Sequence, residues 1–461
     1  MEFVKEKKIA QTTKITLVSF FLLIVVGGFL LNLPISNNPG MPHDILNSLF
    51  TATASVCVAG LSTVVAAEQY TLFGKIIMLI LIQVGALGFI FIISAFILMT
   101  KKTLSFKDKI NIGNVLGSSE KLNEVKTLVK RIVIFTIVVE LLGALILSIR
   151  FIPSFGVLKG LGQAVFTSVS SFCNCGYDLL GANSLKDYAT DYLVTGTCAI
   201  LTLLGSLGFI VWNELFEKLK QQREKKLSYR KTWLNLSTHC QLVLVMLVIM
   251  LIAGTFGIMV FEYNNPNTLG KFGFWDKIYV SLFHGISART TGMAAIELSQ
   301  MTDSGKFFTA ILMLIGGAPG STAGGLKTVT VAVLIITMMS SVSKNKNVNV
   351  FRREISDDSI KQAITVLVSA LAIVSIMTMV LSALNPDVAF VDILFEVISA
   401  LATCGYSLGI TSGLTTTSKV ILIVIMYIGR VSTVTMTMAI AGKKFKQSNI
   451  IKLPKAEISI V

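Results

Sequence analysis

Four short segments of this 461-residue chain end in glycine and share a length but little else. They are Val56-Cys57-Val58-Ala59-Gly60, Phe172-Cys173-Asn174-Cys175-Gly176, Ala288-Arg289-Thr290-Thr291-Gly292 and Leu401-Ala402-Thr403-Cys404-Gly405. Their glycines recur at spacings of 116, 116 and 113 residues. Each follows a phenylalanine (Phe50, Phe166, Phe283, Phe395) by nine or ten residues, with small residues between. Self-similarity at a fixed period marks a unit used repeatedly in one chain. The side chains of the four segments differ chemically, so a shared chemistry must use backbone. Rings of backbone carbonyls can replace the hydration shell of a monovalent cation. A terminal glycine, free to adopt positive φ, lets such a strand turn with its carbonyls toward one axis. The third segment is expected to be a small extended pentapeptide.

A second chemical feature is the run Gly316–Lys327 (GGAPGSTAGGLK), which interrupts an apolar stretch. Irregular backbone at membrane depth persists only where it is buried in protein or lines a wet cavity. The run is therefore expected beside a water-filled path. Arg430, inside the last apolar stretch, is a costly charge at that depth and a functional candidate. Its structural alternative is a salt bridge or a carbonyl cap. Lys327 is expected to snorkel to the cytoplasmic interface.

The elements that must position these groups are membrane helices. The chain is 53% hydrophobic and 14% charged, with mean hydropathy +0.76, against about a quarter charged for a soluble domain. The expected fold is an all-α polytopic membrane protein: four tandem helix–pore loop–helix repeats in pseudo-fourfold arrangement around one pore. The units are 1–125 (repeat one and linker), 126–232 (repeat two and linker), 233–356 (repeat three, with a broken second helix) and 357–461 (repeat four and tail). Spans are expected at Ile15–Leu33, Leu72–Met99, Leu128–Ile149, Tyr192–Leu215, Leu234–Phe261, Lys306–Ser341 (broken), Ser359–Leu384 and Val420–Ala441, eight in all. Ile15–Leu33 lacks a small-residue cleavage site after it and reads as a retained helix.

The formal charge of +15 does not point to nucleic acid. Of 40 Lys/Arg, 29 lie in the N-terminal stretch, the inter-repeat linkers and the tail, which this topology puts on one side. The positive-inside rule places both termini in the cytoplasm. The six cysteines show no disulfide framework. Cys57, Cys173, Cys175 and Cys404 could instead form a soft-metal site, which would make the chain a soft-metal ion transporter. The three histidines are scattered, and no nucleophile–base spacing, HExxH or phosphate-binding loop is present, so an enzyme is not expected. Asp44 and Asp357-Asp358 read as helix starts. Glu68, Asp178, Asp187, Asp191, Asp276, Glu297 and Asp303 fall on the expected outer side, as a solvated rim that could also gather cations.

The four glycine-ended segments, Leu33-Pro34-Ile35, IGGAPGSTAGGLK at 315–327, SARTTG at 287–292 and IGR at 428–430 together resemble the Trk/Ktr/HKT superfamily of potassium transporters, most nearly the KtrB-type membrane subunits. The resemblance spans nearly the whole chain. It implies K⁺ as the transported ion, lined by carbonyls at Val58, Ala59, Gly60, Asn174, Cys175, Gly176, Thr290, Thr291, Gly292, Thr403, Cys404 and Gly405. It implies a gate formed by the intramembrane loop Gly316, Gly317, Ala318, Pro319, Gly320, Ser321, Thr322, Ala323, Gly324 and Gly325, together with an arginine, Arg430, that projects toward the pore. It further implies a bacterial plasma-membrane location, a homodimer, a cytosolic ring of RCK-domain subunits binding ATP or ADP, and a dependence on Na⁺ for which no residue here supplies a site. No covalent cofactor is implied. Ala59 stands where many relatives carry Thr, and cysteines stand at 173, 175 and 404 where Asn, Ala, Thr or Val are usual. Arg289 is expected to turn behind the filter toward a carboxylate, Glu262 or Glu396.

Overall fold

The computed structural model describes residues 2–99, 122–226, 228–343, 347–351 and 353–431. The linker core and the C-terminal tail singled out above lie largely outside these residues. The fold is almost wholly helical, apart from a two-residue antiparallel hairpin, Asn349–Val350 with Arg353–Glu354.

Each quarter of the chain begins with a long apolar helix: α1 (Glu2–Asn32), α4 (Leu122–Phe155), α8 (Thr238–Glu262) and α12 (Asp357–Leu384). The 25 residues of α8 extend about 37 Å, enough for a bilayer core of about 30 Å. A shorter helix follows each: α2 (Ile45–Val56), α5 (Val157–Cys173), α9 (Phe274–Thr290) and α13 (Phe390–Ala402). Their buried faces carry many hydroxyls, including Thr51, Thr53, Ser55, Thr167, Ser170, Ser281 and Ser399. The outer faces of the long helices instead expose Phe21, Phe29, Leu141, Leu145, Ile252, Phe256 and Met379. Apolar outside with polar groups turned inward suits lipid as the surrounding solvent.

Local sequence sets the helix starts. Asp44 caps α2 by accepting from the Leu46 N–H at 2.9 Å. Ser237 caps α8 by accepting from the Cys240 N–H at 3.1 Å, and Glu214 in turn accepts from the Ser237 hydroxyl at 2.6 Å. Ser356 caps α12 at Ser359, so the cap falls just before Asp357-Asp358, whose charges sit in the first turn.

The outgoing elements are α3 (Leu72–Met99), the pair α6 (Tyr192–Ser206) and α7 (Phe209–Lys225), the pair α10 (Asp303–Leu314) and α11 (Thr328–Val342), and α14 (Thr416–Val431). Here the expectation of continuous spans is corrected. The segment expected at Tyr192–Leu215 is two helices bent by 93°. α3 is kinked at Gly88, whose φ is 48°. Among the described residues, three helices are long and apolar enough to cross a membrane, or four with the bent pair counted as one. The second half of the expected span Val420–Ala441 lies outside the described residues.

Packing closes the four units into a ring. Each short helix packs on its own incoming and outgoing helices. Each outgoing helix also packs on the next short helix: α3 on α5, α6 on α9, α10 on α13, and α14 back on α2. The last contact joins the end of the described chain to its first quarter. The Lys306–Asp392 ion pair at 2.9 Å fastens α10 to α13.

Candidate ion pathway

The short helices end in similar left-handed turns. The N–H groups of Ala59, Cys175 and Cys404 return five residues to the carbonyls of Ala54, Ser170 and Ser399, at 2.7, 2.9 and 3.0 Å. The residue before each donor has positive φ: Val58 55°, Asn174 61° and Thr403 48°. This is the hydrogen-bonding of a Schellman termination, yet it is built here on Val, Asn and Thr rather than glycine. A β-branched residue at positive φ is a costly outlier that the surroundings must enforce.

The third repeat departs from the other three. Thr290 is still helical, Thr291 lies at φ −102°, and the five-residue bond comes from the Gly292 N–H to the Ser287 carbonyl at 3.0 Å. Its phenylalanine-to-glycine interval is nine residues rather than ten. The missing residue is the left-handed one. The expectation of an extended pentapeptide at Ala288–Gly292 is thereby corrected: the helix runs into it.

The four glycines all have positive φ, from 68° at Gly60 to 102° at Gly405. Their surroundings follow a cycle. A β-carbon on Gly60 would strike the Cys175 carbonyl oxygen, one on Gly176 that of Thr291, and one on Gly292 that of Cys404. One on Gly405 would meet the Ala59 oxygen at 2.8 Å. Each glycine therefore abuts the carbonyl of the residue that precedes the next repeat's glycine. Four chemically unlike segments thus make one closed ring of backbone, with repeats one and three opposite, and two and four opposite. The tyrosine after Gly176 ties neighbours above the ring, its hydroxyl donating to the Leu61 carbonyl at 2.6 Å.

The run Gly316–Lys327 lies below this ring, between α10 and α11. Its Ala318 and Thr322 N–H groups donate to the Ser206 and Gly205 carbonyls at 2.9 and 3.3 Å, and its Gly320 carbonyl accepts from the Phe209 N–H at 2.9 Å. These contacts are to the break in repeat two. On the other side, a β-carbon on Gly324 would strike the Thr403 hydroxyl and lie 2.9 Å from the Ala402 oxygen, both in repeat four. The segment thus packs just beneath the ring on both neighbours of its own repeat. Arg430 holds it there: its guanidinium donates to the Thr322 carbonyl at 2.6 Å and to those of Gly85 and Ala86 at 2.5 and 3.1 Å. Of the two structural alternatives for Arg430, the carbonyl cap is the one observed. Lys327 folds back to the Ala323 carbonyl at 2.7 Å, so its amine is engaged by the loop rather than reaching for the interface.

Arg289 is buried, and it meets neither expected carboxylate. Among the described residues, its side chain donates to the Gly316 carbonyl at 3.4 Å. Glu262 is taken up by the Thr302 N–H and hydroxyl at 2.9 and 2.8 Å, Thr268 at 2.6 Å and Asn265 at 2.7 Å. Glu396 is held by Ser407 at 2.5 Å and by the Leu408 N–H and Thr411 at 3.1 Å each. Both carboxylates fasten loops between helices, and local donors satisfy them before any arginine could. In the loop before α10, burial alone would push the Glu297 carboxyl up, but its pairing with Lys186 at 2.5 Å outweighs this and holds it below the usual range.

The described cysteines are free and buried. The Cys404 thiol donates to the Ala288 carbonyl at 2.9 Å. The Cys173 thiol faces Gln83 at 3.5 Å and Glu140 at 3.8 Å. Among the described residues, no three His, Cys, Asp or Glu side chains gather as a metal site.

Sequence reasoning missed the breaks in α3 and between α6 and α7. The signal was present: Gly85-Ala86-Leu87-Gly88-Phe89-Ile90 and Gly205-Ser206-Leu207-Gly208-Phe209-Ile210 share a pattern, and Gly316 and Gly429 begin the corresponding places. Gly85, Gly205 and Gly429 each press on a carbonyl near the end of a short helix, those of Val56, Phe172 and Leu401. Glu140, a buried carboxylate inside α4, was also missed.

A fourfold ring of backbone set in a bundle of broken apolar helices defines a membrane ion-translocating protein. A family model described as TrkH, cation transport protein, matches residues 4–452. The chain belongs to this family; it is a multi-pass membrane transporter and not an enzyme. Among similar proteins, "Potassium/sodium uptake protein NtpJ" of Enterococcus hirae is 35% identical over 444 residues, covering 96% of this chain and 95% of that one. "Ktr system potassium uptake protein B" of Bacillus subtilis is 34% identical, covering 96% and 95%. The crystal structure of the potassium transporter TrkH from Vibrio parahaemolyticus shares the fold, with TM-score 0.72 and 15% identity over 93% of this chain and 84% of that one.

Proposed function

We propose that this chain takes up K⁺ across a bacterial plasma membrane through the ring of carbonyls at Ala59, Cys175, Thr291 and Cys404, with the loop Gly316–Gly325 and Arg430 as the gate beneath it. The observation that carries the reading is the cyclic abutment of each ring glycine on the next repeat's carbonyl. A carbonyl ring is hard and neutral, suited to a monovalent cation. The filter sulfurs face separate neighbours, which disfavours the soft-metal alternative.

The finer points rest on the family resemblance, on the placement of the basic residues and on the names of relatives. Three are named for a Ktr system and one for potassium and sodium. We take this chain to be the membrane subunit of such a system, a homodimer with both termini cytoplasmic, opened by a cytosolic nucleotide-binding RCK ring and stimulated by Na⁺. The units 1–125, 126–232, 233–356 and 357–461 are the repeats of this reading. The test is Rb⁺ uptake, with and without Na⁺, in cells stripped of their own K⁺ uptake systems, with the chain expressed alone and with a cytosolic partner. Saturable uptake that the partner raises is expected. Absence of uptake even with the partner, from a chain present in the membrane, refutes the reading.

A further inference from the structure

The ring and the loop beneath it share a set of buried side-chain hydrogen bonds centred on Asn174. This residue is fully buried and sits at φ 61°, between Cys173 and the ring residue Cys175. Its amide nitrogen donates to the Thr322 hydroxyl in the loop at 2.6 Å. Its amide oxygen accepts from the hydroxyls of Thr290 and Thr291 at 2.9 and 3.0 Å. Thr291 is the residue whose carbonyl enters the ring against Gly176. One amide thus spans the left-handed turn of repeat two, the ring segment of repeat three, and the loop.

Thr322 is equally committed. It is fully buried, and its hydroxyl also lies 3.1 Å from the Gly205 carbonyl and 3.2 Å from that of Phe172. Its own carbonyl takes the Arg430 guanidinium at 2.6 Å. A loop withdrawn from beneath the ring takes Thr322 with it. The Asn174 nitrogen then keeps only the Phe172 carbonyl, at 3.3 Å. A buried amide that loses its best acceptor must turn to find another. Turning this one disturbs its hold on Thr290 and Thr291, and with them a ring carbonyl.

Resting on the reading of the loop as a gate, we infer that Asn174 and Thr322 couple the gate to the filter, so that the position of the loop sets how the ring discriminates K⁺ from Na⁺. Linkage makes the effect reciprocal: a filter loaded with K⁺ holds the loop in place more firmly than one loaded with Na⁺. Both are positioning residues, acting through the Thr291 and Cys175 carbonyls. The four filter segments alone would not reveal this, because Thr322 is 148 residues from Asn174 in sequence.

The test uses the purified full-length chain in liposomes, without a partner protein, with Rb⁺ and Na⁺ uptake measured in parallel. The variants are Thr322→Val, which keeps the shape and removes the hydroxyl, Thr322→Ala as a second probe should valine not be tolerated, Thr322→Ser, and deletion of Ala318–Ala323. In Thr322→Val the coupling predicts raised flux and a Rb⁺/Na⁺ ratio lowered roughly fivefold or more, the low end of allosteric couplings. In Thr322→Ser, which keeps the hydroxyl, both return to those of the unaltered chain. Raised flux with an unchanged ratio in both Thr322→Val and Thr322→Ala overturns the coupling and leaves the gate standing. No change in either property, when the deletion does raise flux, also overturns it. A deletion that leaves flux unchanged overturns the gate reading, and the coupling with it.

Discussion

Substituting Gly176 by alanine tests the ring at the place where the structure is least forgiving. At φ 87° the new side chain is in the left-handed region, a strain of roughly 1–3 kcal/mol for a non-glycine residue. The β-carbon would also land on the Thr291 carbonyl oxygen, and backbone can yield only by moving that carbonyl. Relief of the clash therefore withdraws one of the four ring oxygens. If the strain falls on the K⁺-coordinating state, it corresponds to about 5- to 150-fold in K⁺ preference. Gly40 is the control: its φ is 85°, and a β-carbon there meets nothing within 4 Å. Gly40→Ala carries the same backbone strain without the clash. In Rb⁺ and Na⁺ uptake from proteoliposomes, Gly176→Ala is expected to lose roughly fivefold or more of the Rb⁺/Na⁺ ratio while Gly40→Ala keeps it. Gly60→Ala and Gly292→Ala should behave like Gly176→Ala. Gly405→Ala should be the mildest, because its nearest contact is 2.8 Å. An unchanged ratio in Gly176→Ala and Gly292→Ala, in protein that reaches the membrane, refutes the ring.

Deleting Ala318–Ala323 should raise Rb⁺ flux measured without a cytosolic partner; flux that stays partner-dependent removes the loop from the gate. Arg430→Gln should also raise partner-free flux, because three carbonyl contacts to the loop and to α3 are weakened at once; loss of folded protein instead would make the residue structural only. Thr302→Ala removes both a helix cap and one donor to buried Glu262, the Thr302 hydroxyl; it should cost about 1–2 kcal/mol, seen as a lowered Tm in detergent with ion selectivity unchanged. The Lys186–Glu297 bridge holds the Glu297 pKa below that of the unfolded chain, so its contribution is present above the ordinary glutamate range and is lost as pH falls through the folded value. Protection of the amides around 184–188 and 297–300 from exchange, relative to their intrinsic rates at each pH, should fall below about pH 4.5, the unperturbed glutamate value, and Glu297→Gln should abolish that dependence.

The repeat and the ring were legible because both depend on backbone. Glycine at a fixed period is visible in sequence whatever the neighbouring side chains are, and it is the glycines that the ring constrains. The break at Gly316–Lys327 was legible for a similar reason, since no continuous helix tolerates that composition. The break between α6 and α7 was not, because two glycines three residues apart in an apolar stretch leave its hydropathy intact. Only comparison with 85–90 exposes it. Side-chain partners were the least legible. Arg289 reads as half of an ion pair, yet Glu262 and Glu396 are each satisfied by local hydroxyls and N–H groups. Arg430 reads as a lone charge, yet broken helices supply it with free carbonyls. Those acceptors exist only once the breaks exist, so an error about the breaks propagates to the arginines.

The most direct measurement is a crystal of the full-length chain grown in Rb⁺, with the ion located by its anomalous scattering. The account predicts a peak on the axis, within coordinating distance of the Ala59, Cys175, Thr291 and Cys404 carbonyl oxygens and above the loop at Gly316–Gly325. A ring without a peak, with Rb⁺ held elsewhere in the protein, contradicts it.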